Sequence, residues 1–193
     1  FKRMIDGAKE QSNIDLNVDD LLAGFITTVK GDSAKMNVQE AAQVMQAFFM
    51  KVEQKVAEEN KAAGDKFLAE KEKEEGVQKT ASGLMYKVVT EGKGAKPTAS
   101  STVKVHYKGT HVDGSEFDSS YSRNEPAEFP LSRMIPAWIE GIPMMNVGSK
   151  YVFYVPAELG YGEMGHGVIK PNEALVFEVE LLDILPEAAA PKK

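Results

Sequence analysis

Cysteine is absent from this 193-residue sequence, and tryptophan occurs only once. Without cysteine, a disulfide scaffold, a cysteine nucleophile and a zinc–thiolate site are all excluded. The three histidines (His106, His111 and His166) lie on separate segments, so no histidine-rich metal site is predicted. No apolar run approaches the roughly 18 residues that a membrane-spanning helix needs, so no transmembrane helix is predicted.

Excess basic charge is missing as well. The formal net charge is −6 at pH 7 and the pI is about 5.2, which disfavours nucleic acid as a partner. The sequence also contains no P-loop, no G-x-S-x-G, no H-E-x-x-H and no dinucleotide-binding fingerprint. We therefore predict neither a metal site nor a cofactor.

Proline does not occur before Pro97, and the first part of the chain has helical periodicity. Residues 18–30 predict a first helix capped by Asn17 or Asp19 and closed by the Gly31-Asp-Ser33 turn. A second helix is predicted to start at Asn37, with Glu40 completing a capping pair, and to continue to about Glu75. Its first half carries an apolar stripe that includes Met45, Phe48, Phe49 and Val52.

The second half of this long helix, from Ala57 to Glu75, consists mainly of lysine, glutamate and alanine, and Phe67 and Leu68 are its only bulky apolar residues. A helix that is polar on all sides is a solvated connector, and the alanine content with little glycine favours a helix here. A disordered charged linker is the alternative.

From Ser82 onward the apolar pattern changes to a period of two, which predicts strands. Asp113-Gly114 indicates a hairpin turn, and Pro136 fits the first position of one short helix that includes Trp138. The predicted fold class is α+β: an N-terminal helical domain with a long connecting helix, then a twisted antiparallel sheet wrapped on a single short helix. The predicted strands are Leu84–Val89, Thr102–Lys108, Lys150–Val155 and Ala174–Leu185.

Aromatic residues on distant segments, together with Asp118, are the remaining candidates for a functional site. By pattern alone, such aromatic residues form a hydrophobic core and a lone aspartate stabilises a turn. The motifs around them nevertheless resemble the FK506-binding-protein (FKBP) type of peptidyl-prolyl cis–trans isomerase over about residues 82–185. These motifs are Val105-His-Tyr-Lys-Gly109, Asp113-Gly-Ser-Glu-Phe-Asp-Ser-Ser120, Arg123-Asn-Glu-Pro126, Ile135-Pro-Ala-Trp138, Val147-Gly148 and Leu175-Val-Phe-Glu-Val-Glu-Leu-Leu182.

The resemblance implies an isomerase of X–Pro bonds that assists protein folding through non-covalent catalysis in an apolar pocket. It implies catalytic roles for Tyr107, Asp118 and Tyr161. Asp118 either orients Tyr107, which we favour, or stabilises the twisted carbonyl carbon. The implied substrate-binding residues are Phe117, Arg123, Met134, Ile135, Trp138, His166, Ile169 and Phe177.

Two positions depart from the family pattern. Ala127 stands where an aromatic wall residue is common, so we expect that side of the pocket to be more open. The loop from Tyr161 to Pro171 is short, and Lys170 replaces the first proline of the common Ile-Pro-Pro. We expect macrolides of the FK506 and rapamycin class to bind as inhibitors, with reduced affinity because of these two changes.

The layout of helices followed by Gly83-Leu-Met-Tyr86 is similar to the macrophage-infectivity-potentiator (Mip) type of FKBP. That resemblance implies a homodimer with unfolded or partly folded protein clients, in the periplasm or at the outer membrane; a cytoplasmic location is the alternative. A dimeric chaperone with secondary isomerase activity is the alternative function. Because the sequence begins at Phe1, we also expect further residues upstream. The implied segments are a dimerisation region at 1–36, a connecting helix at 37–76, an isomerase domain at 82–186 and a disordered tail at 187–193.

Overall fold

A computed structural model describes residues 38–186 and, before them, Asn17, Asp19, Ala23, Gly24 and Ile26. The chain divides into two compact units, Phe1–Val56 and Ala57–Lys193. In the predicted first helix, Asn17 Oδ1 accepts a hydrogen bond from the backbone N–H of Asp19 at 3.0 Å, as a capping residue does. The predicted cap at Asn37, the Gly31-Asp-Ser33 turn and the tail at 187–193 lie outside the described residues.

Helix α1 spans Val38–Lys71 and ends a few residues before the predicted end near Glu75. Two short-range backbone hydrogen bonds, from Lys73 to Glu70 (3.2 Å) and from Glu74 to Lys71 (3.0 Å), tighten the chain just after the helix. Gly76 then adopts a φ of +82°, which turns the chain into the first strand. None of the helices in the described part of the chain is long and apolar enough to cross a membrane.

Seven antiparallel strands follow α1 and form one sheet, which confirms the predicted fold class. Along the sheet the order is β1-β2-β6-β7-β3-β4, and β5 pairs with β3 outside this path. The strands are β1 (Val77–Lys79), β2 (Met85–Thr90), β3 (Thr102–His111), β4 (Glu116–Ser119), β5 (Ala127–Pro130), β6 (Lys150–Val155) and β7 (Leu175–Leu185). Because β1 pairs with β2, the sheet includes residues before the predicted boundary at Ser82.

Strict alternation along β3 and β7 produces one buried face of the sheet. Val103, Val105 and Tyr107 of β3 are at most 5% exposed, as their period of two predicted. Helix α2 (Pro136–Gly141) packs on this face with Pro136 in its first turn and Trp138 buried. Gly141 is the last residue of α2 and has ordinary helical φ and ψ, and an added Cβ there would lie 2.6 Å from the Phe153 ring. Gly141 therefore allows the helix to approach the sheet closely.

The C-terminal half of α1 packs against the sheet within the second unit, so it is more than the solvated connector that its composition suggested. Leu68 is 9% exposed, and Phe67 contacts Tyr154 edge to face with ring centroids 6.1 Å apart. At Gly64 an added Cβ would lie 2.9 Å from the Cβ of Ala174. A few apolar residues on one face are therefore enough to dock a helix that is otherwise charged.

Candidate active site

A cavity of about 260 Å³ opens between the sheet and helix α2. Its lining is aromatic and aliphatic apart from one carboxylate and two tyrosine hydroxyls. The lining residues are Tyr107, Phe117, Asp118, Phe129, Met134, Ile135, Trp138, Tyr161 and Phe177. An apolar cavity with few polar groups is typical of a small-ligand or side-chain binding site.

Trp138 is the centre of the aromatic lining because it contacts three other rings edge to face. Its ring centroid lies 5.3 Å from that of Tyr107, 5.5 Å from that of Phe129 and 5.6 Å from that of Phe177. The side chain is held by α2 and is only 4% exposed. In the described part of the chain, no acceptor receives the buried Nε1–H of Trp138.

Gly109 positions the two phenylalanines of the pocket. The register of β3 and β4 shifts at Gly109, which pairs with Asp118 while the next residue pairs with Glu116, so Phe117 is left between them. Phe177 of β7 pairs with Gly109 from the other side. A Cβ on Gly109 would lie 2.5 Å from the Phe117 ring and 3.0 Å from the Phe177 ring, so only glycine allows both rings to approach here.

Tyr107, Asp118 and Arg123 form a hydrogen-bonded network at the edge of the pocket. The Tyr107 hydroxyl donates to Asp118 Oδ2, and Arg123 donates from Nη1 to Asp118 Oδ1. Arg123 Nη2 also donates to the Tyr107 hydroxyl oxygen at 2.8 Å, which leaves that hydroxyl with one defined orientation. Arg123 therefore contacts two lining residues, Tyr107 and Asp118, but does not line the pocket itself.

The network keeps Asp118 ionised and Tyr107 neutral near neutral pH. Burial alone would raise the pKa of Asp118, but the hydrogen bonds from Tyr107 and Arg123 outweigh it and hold that pKa below its usual value. Burial and the hydrogen bond to Asp118 raise the pKa of Tyr107. Burial, and after it the charge of Asp118, also raises the pKa of Tyr161.

The loop after β6 brings Tyr161 to the pocket, but the other two predicted loop residues do not line it. The His166 ring stacks on the Tyr161 ring at 5.8 Å and 12°, while Ile169 is buried in the core. His166 and Ile169 exchange backbone hydrogen bonds of 2.9 Å, which close the tip of the loop. Their contact with substrate stays a prediction.

Ile135 contributes a backbone donor at the start of α2. The residue has an extended conformation, with φ −60° and ψ 150°, and its carbonyl accepts the first hydrogen bonds of the helix. Among the described residues no acceptor receives its own N–H. That N–H is therefore available to a ligand in the pocket.

Phe129 is the lining residue that the sequence interpretation missed. It lies two residues after Ala127 on β5, and its ring contacts that of Tyr107 at 5.7 Å and 62°. Ala127 itself is half-buried and packs on the core. The signal was the alternation Ala127-Glu-Phe129, which is too short to identify a strand by itself.

An antiparallel sheet wrapped on one short helix, with an aromatic pocket between them, fits the class of prolyl isomerases that the motifs suggested. The family profile "FKBP-type peptidyl-prolyl cis-trans isomerase" matches residues 93–182, and "Domain amino terminal to FKBP-type peptidyl-prolyl isomerase" matches residues 3–88. The chain is 46% identical over 188 residues to the FKBP-type peptidyl-prolyl cis-trans isomerase FkpA of Aeromonas hydrophila, covering 94% of this chain and 70% of that protein.

Two further relatives agree. The "Outer membrane protein MIP" of Legionella longbeachae is 37% identical over 183 residues, covering 91% of this chain and 78% of that protein. The crystal structure of FkpA from Escherichia coli superimposes with a TM-score of 0.80 at 41% identity, covering 96% of this chain and 89% of that one. The chain therefore belongs to the FKBP-type peptidyl-prolyl cis–trans isomerase family, whose members isomerise X–Pro bonds and assist protein folding.

Proposed function

We propose that this isomerase acts on X–Pro bonds of unfolded protein chains in the pocket around Trp138, with Tyr107, Asp118 and Tyr161 as its catalytic residues. The observation that carries this proposal is the network in which Asp118 fixes the hydroxyl of Tyr107 beside an aromatic cavity. Phe117, Phe177 and Trp138 would hold the proline ring, and Arg123 would hold Asp118 in place.

The barrier to be lowered is the resonance of the amide bond, which is about 18–20 kcal/mol. Rotation about the C–N bond removes part of that resonance and of the charge separation that accompanies it. Water stabilises the polar planar amide more than the twisted one. A dry aromatic pocket lacks that stabilisation, so the free-energy difference between the twisted and the planar amide is smaller there than in water. The reaction needs no covalent step under this proposal.

The polar groups of the pocket would orient the substrate. The Ile135 N–H and the Tyr161 hydroxyl would donate to carbonyl oxygens next to the proline. The Tyr107 hydroxyl donates to the Asp118 carboxylate, and both residues line the pocket. We favour the role in which Asp118 orients Tyr107 over one in which it acts directly on the carbonyl carbon.

The experiment compares wild type with Asp118→Ala and Trp138→Leu in two assays. The first follows exchange of a short X–Pro peptide, and the second follows a refolding step limited by proline isomerisation. Both variants should lose most of their activity in both assays. Full activity of both variants on the short peptide, with folding intact by circular dichroism, would contradict the proposed site.

A dimeric chaperone that holds clients is the second candidate function, and an apolar stripe on α1 favours the dimer that it requires. In the first unit, Met45 is 51%, Phe48 41% and Phe49 47% exposed. Single exposed apolar residues are ordinary, but a continuous stripe marks an interaction surface. We propose that it forms the interface of a homodimer. Suppression of client aggregation that survives Trp138→Leu would support a separate chaperone activity.

Two further proposals concern the location of the protein and its inhibitors. A location in the periplasm or at the outer membrane is favoured over the cytoplasm because one relative is named an outer membrane protein. Macrolides of the FK506 and rapamycin class would enter the same pocket, because its walls are apolar and Trp138 lies beneath them. Fractionation of cells and a binding titration test these two proposals in turn.

A further inference from the structure

A largely buried hydrogen bond between a histidine and a carboxylate connects two segments around the pocket, and neither of the two residues lines the cavity. His111 Nδ1 lies 2.7 Å from Glu173 Oε1, and the two side chains are only 18% and 11% exposed. Glu173 Oε2 accepts the backbone N–H of Lys170 at 2.9 Å. Glu173 lies in the segment 161–174, which we call the pocket loop. Its carboxylate therefore joins this loop to His111 at the end of β3.

The histidine end of this pair contacts a wall of the pocket. The His111 ring packs edge to face on Phe117 with centroids 5.2 Å apart, and Phe117 packs in the same way on Phe177 at 5.7 Å. A displacement of His111 would therefore act directly on Phe117.

The carboxylate end holds the pocket loop that begins with Tyr161. Within the loop, Asn172 donates its N–H to the Gly162 carbonyl at 2.9 Å, which brings the two ends of the loop together. The Lys170 N–H that Glu173 accepts exists because this position is not proline, since proline has no N–H to donate. Glu173 is therefore the link between the loop and the hairpin that carries Phe117.

Burying a carboxylate costs free energy unless its oxygens accept hydrogen bonds, and both oxygens of Glu173 do so. A short hydrogen bond between a histidine and a carboxylate fixes the orientation of the imidazole ring. Two hydrogen bonds from different segments to one carboxylate fix the distance between those segments.

We propose that Glu173 and His111 are positioning residues that hold Tyr161 and Phe117 at the separation which an X–Pro segment requires. The inference rests on the proposed roles of Tyr161 and Phe117 in substrate binding. The Glu173–His111 pair therefore affects how tightly the substrate binds and not the rate of rotation about the C–N bond.

The test measures kcat and KM of the full chain on a short X–Pro peptide. Glu173→Ala should raise KM about tenfold and leave kcat within about twofold, because a hydrogen bond to a charged group contributes one to two powers of ten. Glu173→Gln keeps an acceptor oxygen for the Lys170 N–H and donates its amide N–H to His111 Nδ1, which accepts in the other neutral tautomer, so KM should return to within about twofold of wild type. Glu163→Ala removes an exposed carboxylate from the same loop and serves as the matched control, with no expected change.

Further variants keep the inference testable. Lys170→Pro removes the donated N–H together with the lysine side chain, and Lys170→Ala removes the side chain alone; only the first should raise KM, by about threefold, even if Glu173→Ala folds poorly. In a Tyr161→Phe background, Glu173→Ala should cost much less than in wild type, because the two substitutions act on one contact. Unchanged KM in Glu173→Ala and Lys170→Pro, or full additivity with Tyr161→Phe, would overturn the inference. A wild-type chain that does not accelerate exchange of the peptide would instead overturn the proposed function, and the inference with it.

Discussion

Asp118→Ala tests whether the carboxylate acts by orienting Tyr107. The side chains of Asp118 and Arg123 are 42% and 51% exposed, so solvent screens their ion pair and the pair itself contributes little. The hydroxyl of Tyr107 is different, because the residue is only 5% exposed and donates to an ionised oxygen. A charge-assisted hydrogen bond of that kind contributes about 2 kcal/mol, which corresponds to roughly thirtyfold in kcat/KM if it serves only the transition state.

A double-mutant cycle with Tyr107→Phe separates the two roles of Asp118. If Asp118 acts through Tyr107, each single substitution should lower kcat/KM by about thirtyfold, and the double substitution should be no worse than either one. If Asp118 acts directly on the carbonyl carbon, Asp118→Ala should still cost its full factor in the Tyr107→Phe background. That additive result would refute our reasoning.

The assay is the exchange rate of a short X–Pro peptide, measured by magnetisation transfer without a coupled protease. Tyr151→Phe is the matched control, because its hydroxyl also donates to a carboxylate, Glu91, at 3.0 Å but does not line the pocket. It should leave kcat/KM unchanged.

Three further predictions concern assembly and stability. The full chain should sediment as a dimer and the fragment 82–193 as a monomer; a monomeric full chain would contradict the role of the apolar stripe. The fragment 57–193 should be more stable to urea than 82–193 by at least about 2 kcal/mol, because only the longer fragment keeps Leu68 buried, and equal stability would show that the helix adds nothing. Burial, and after it hydrogen bonds to glutamates, raises the pKa of Tyr121 and Tyr151 to about 12. Since unfolded tyrosine titrates near pH 10, the stability from these groups should be complete below about pH 10 and lost as the pH rises towards 12. Urea unfolding at several alkaline pH values measures that loss, and Tyr121→Phe and Tyr151→Phe should reduce it; an unaltered pH dependence in both variants would contradict the assignment.

The parts of the fold that could be predicted from the sequence are those in which apolar residues recur at regular spacing over many positions. Strands β2, β3, β6 and β7 were recognised from the apolar pattern of their residues, and helix α2 from Pro136 at its first position. Strands β1, β4 and β5 have only three or four residues, and a pattern of that length does not differ from a turn. Phe129 was missed as a pocket residue for the same reason.

The site was predictable only as far as the family motifs extend. They indicated Trp138, the rings of Tyr107, Phe117 and Phe177, and the network at Asp118, although these residues lie far apart in the sequence. The contact of His111 with Glu173 joins residues 62 positions apart and belongs to no motif. The docking of Leu68 was hidden as well, because one or two apolar residues in a charged helix do not reveal what they pack against.

The most direct test of the central claim is a macrolide titration that follows tryptophan fluorescence and isomerase rate in the same samples. Trp138 is the only tryptophan of the chain and lies in the lining of the pocket. If this pocket is the isomerase site, the fluorescence change and the loss of activity should follow one curve and saturate at one macrolide per chain. Loss of activity without a change at Trp138, or saturation of the fluorescence change with the rate unaffected, would contradict the account.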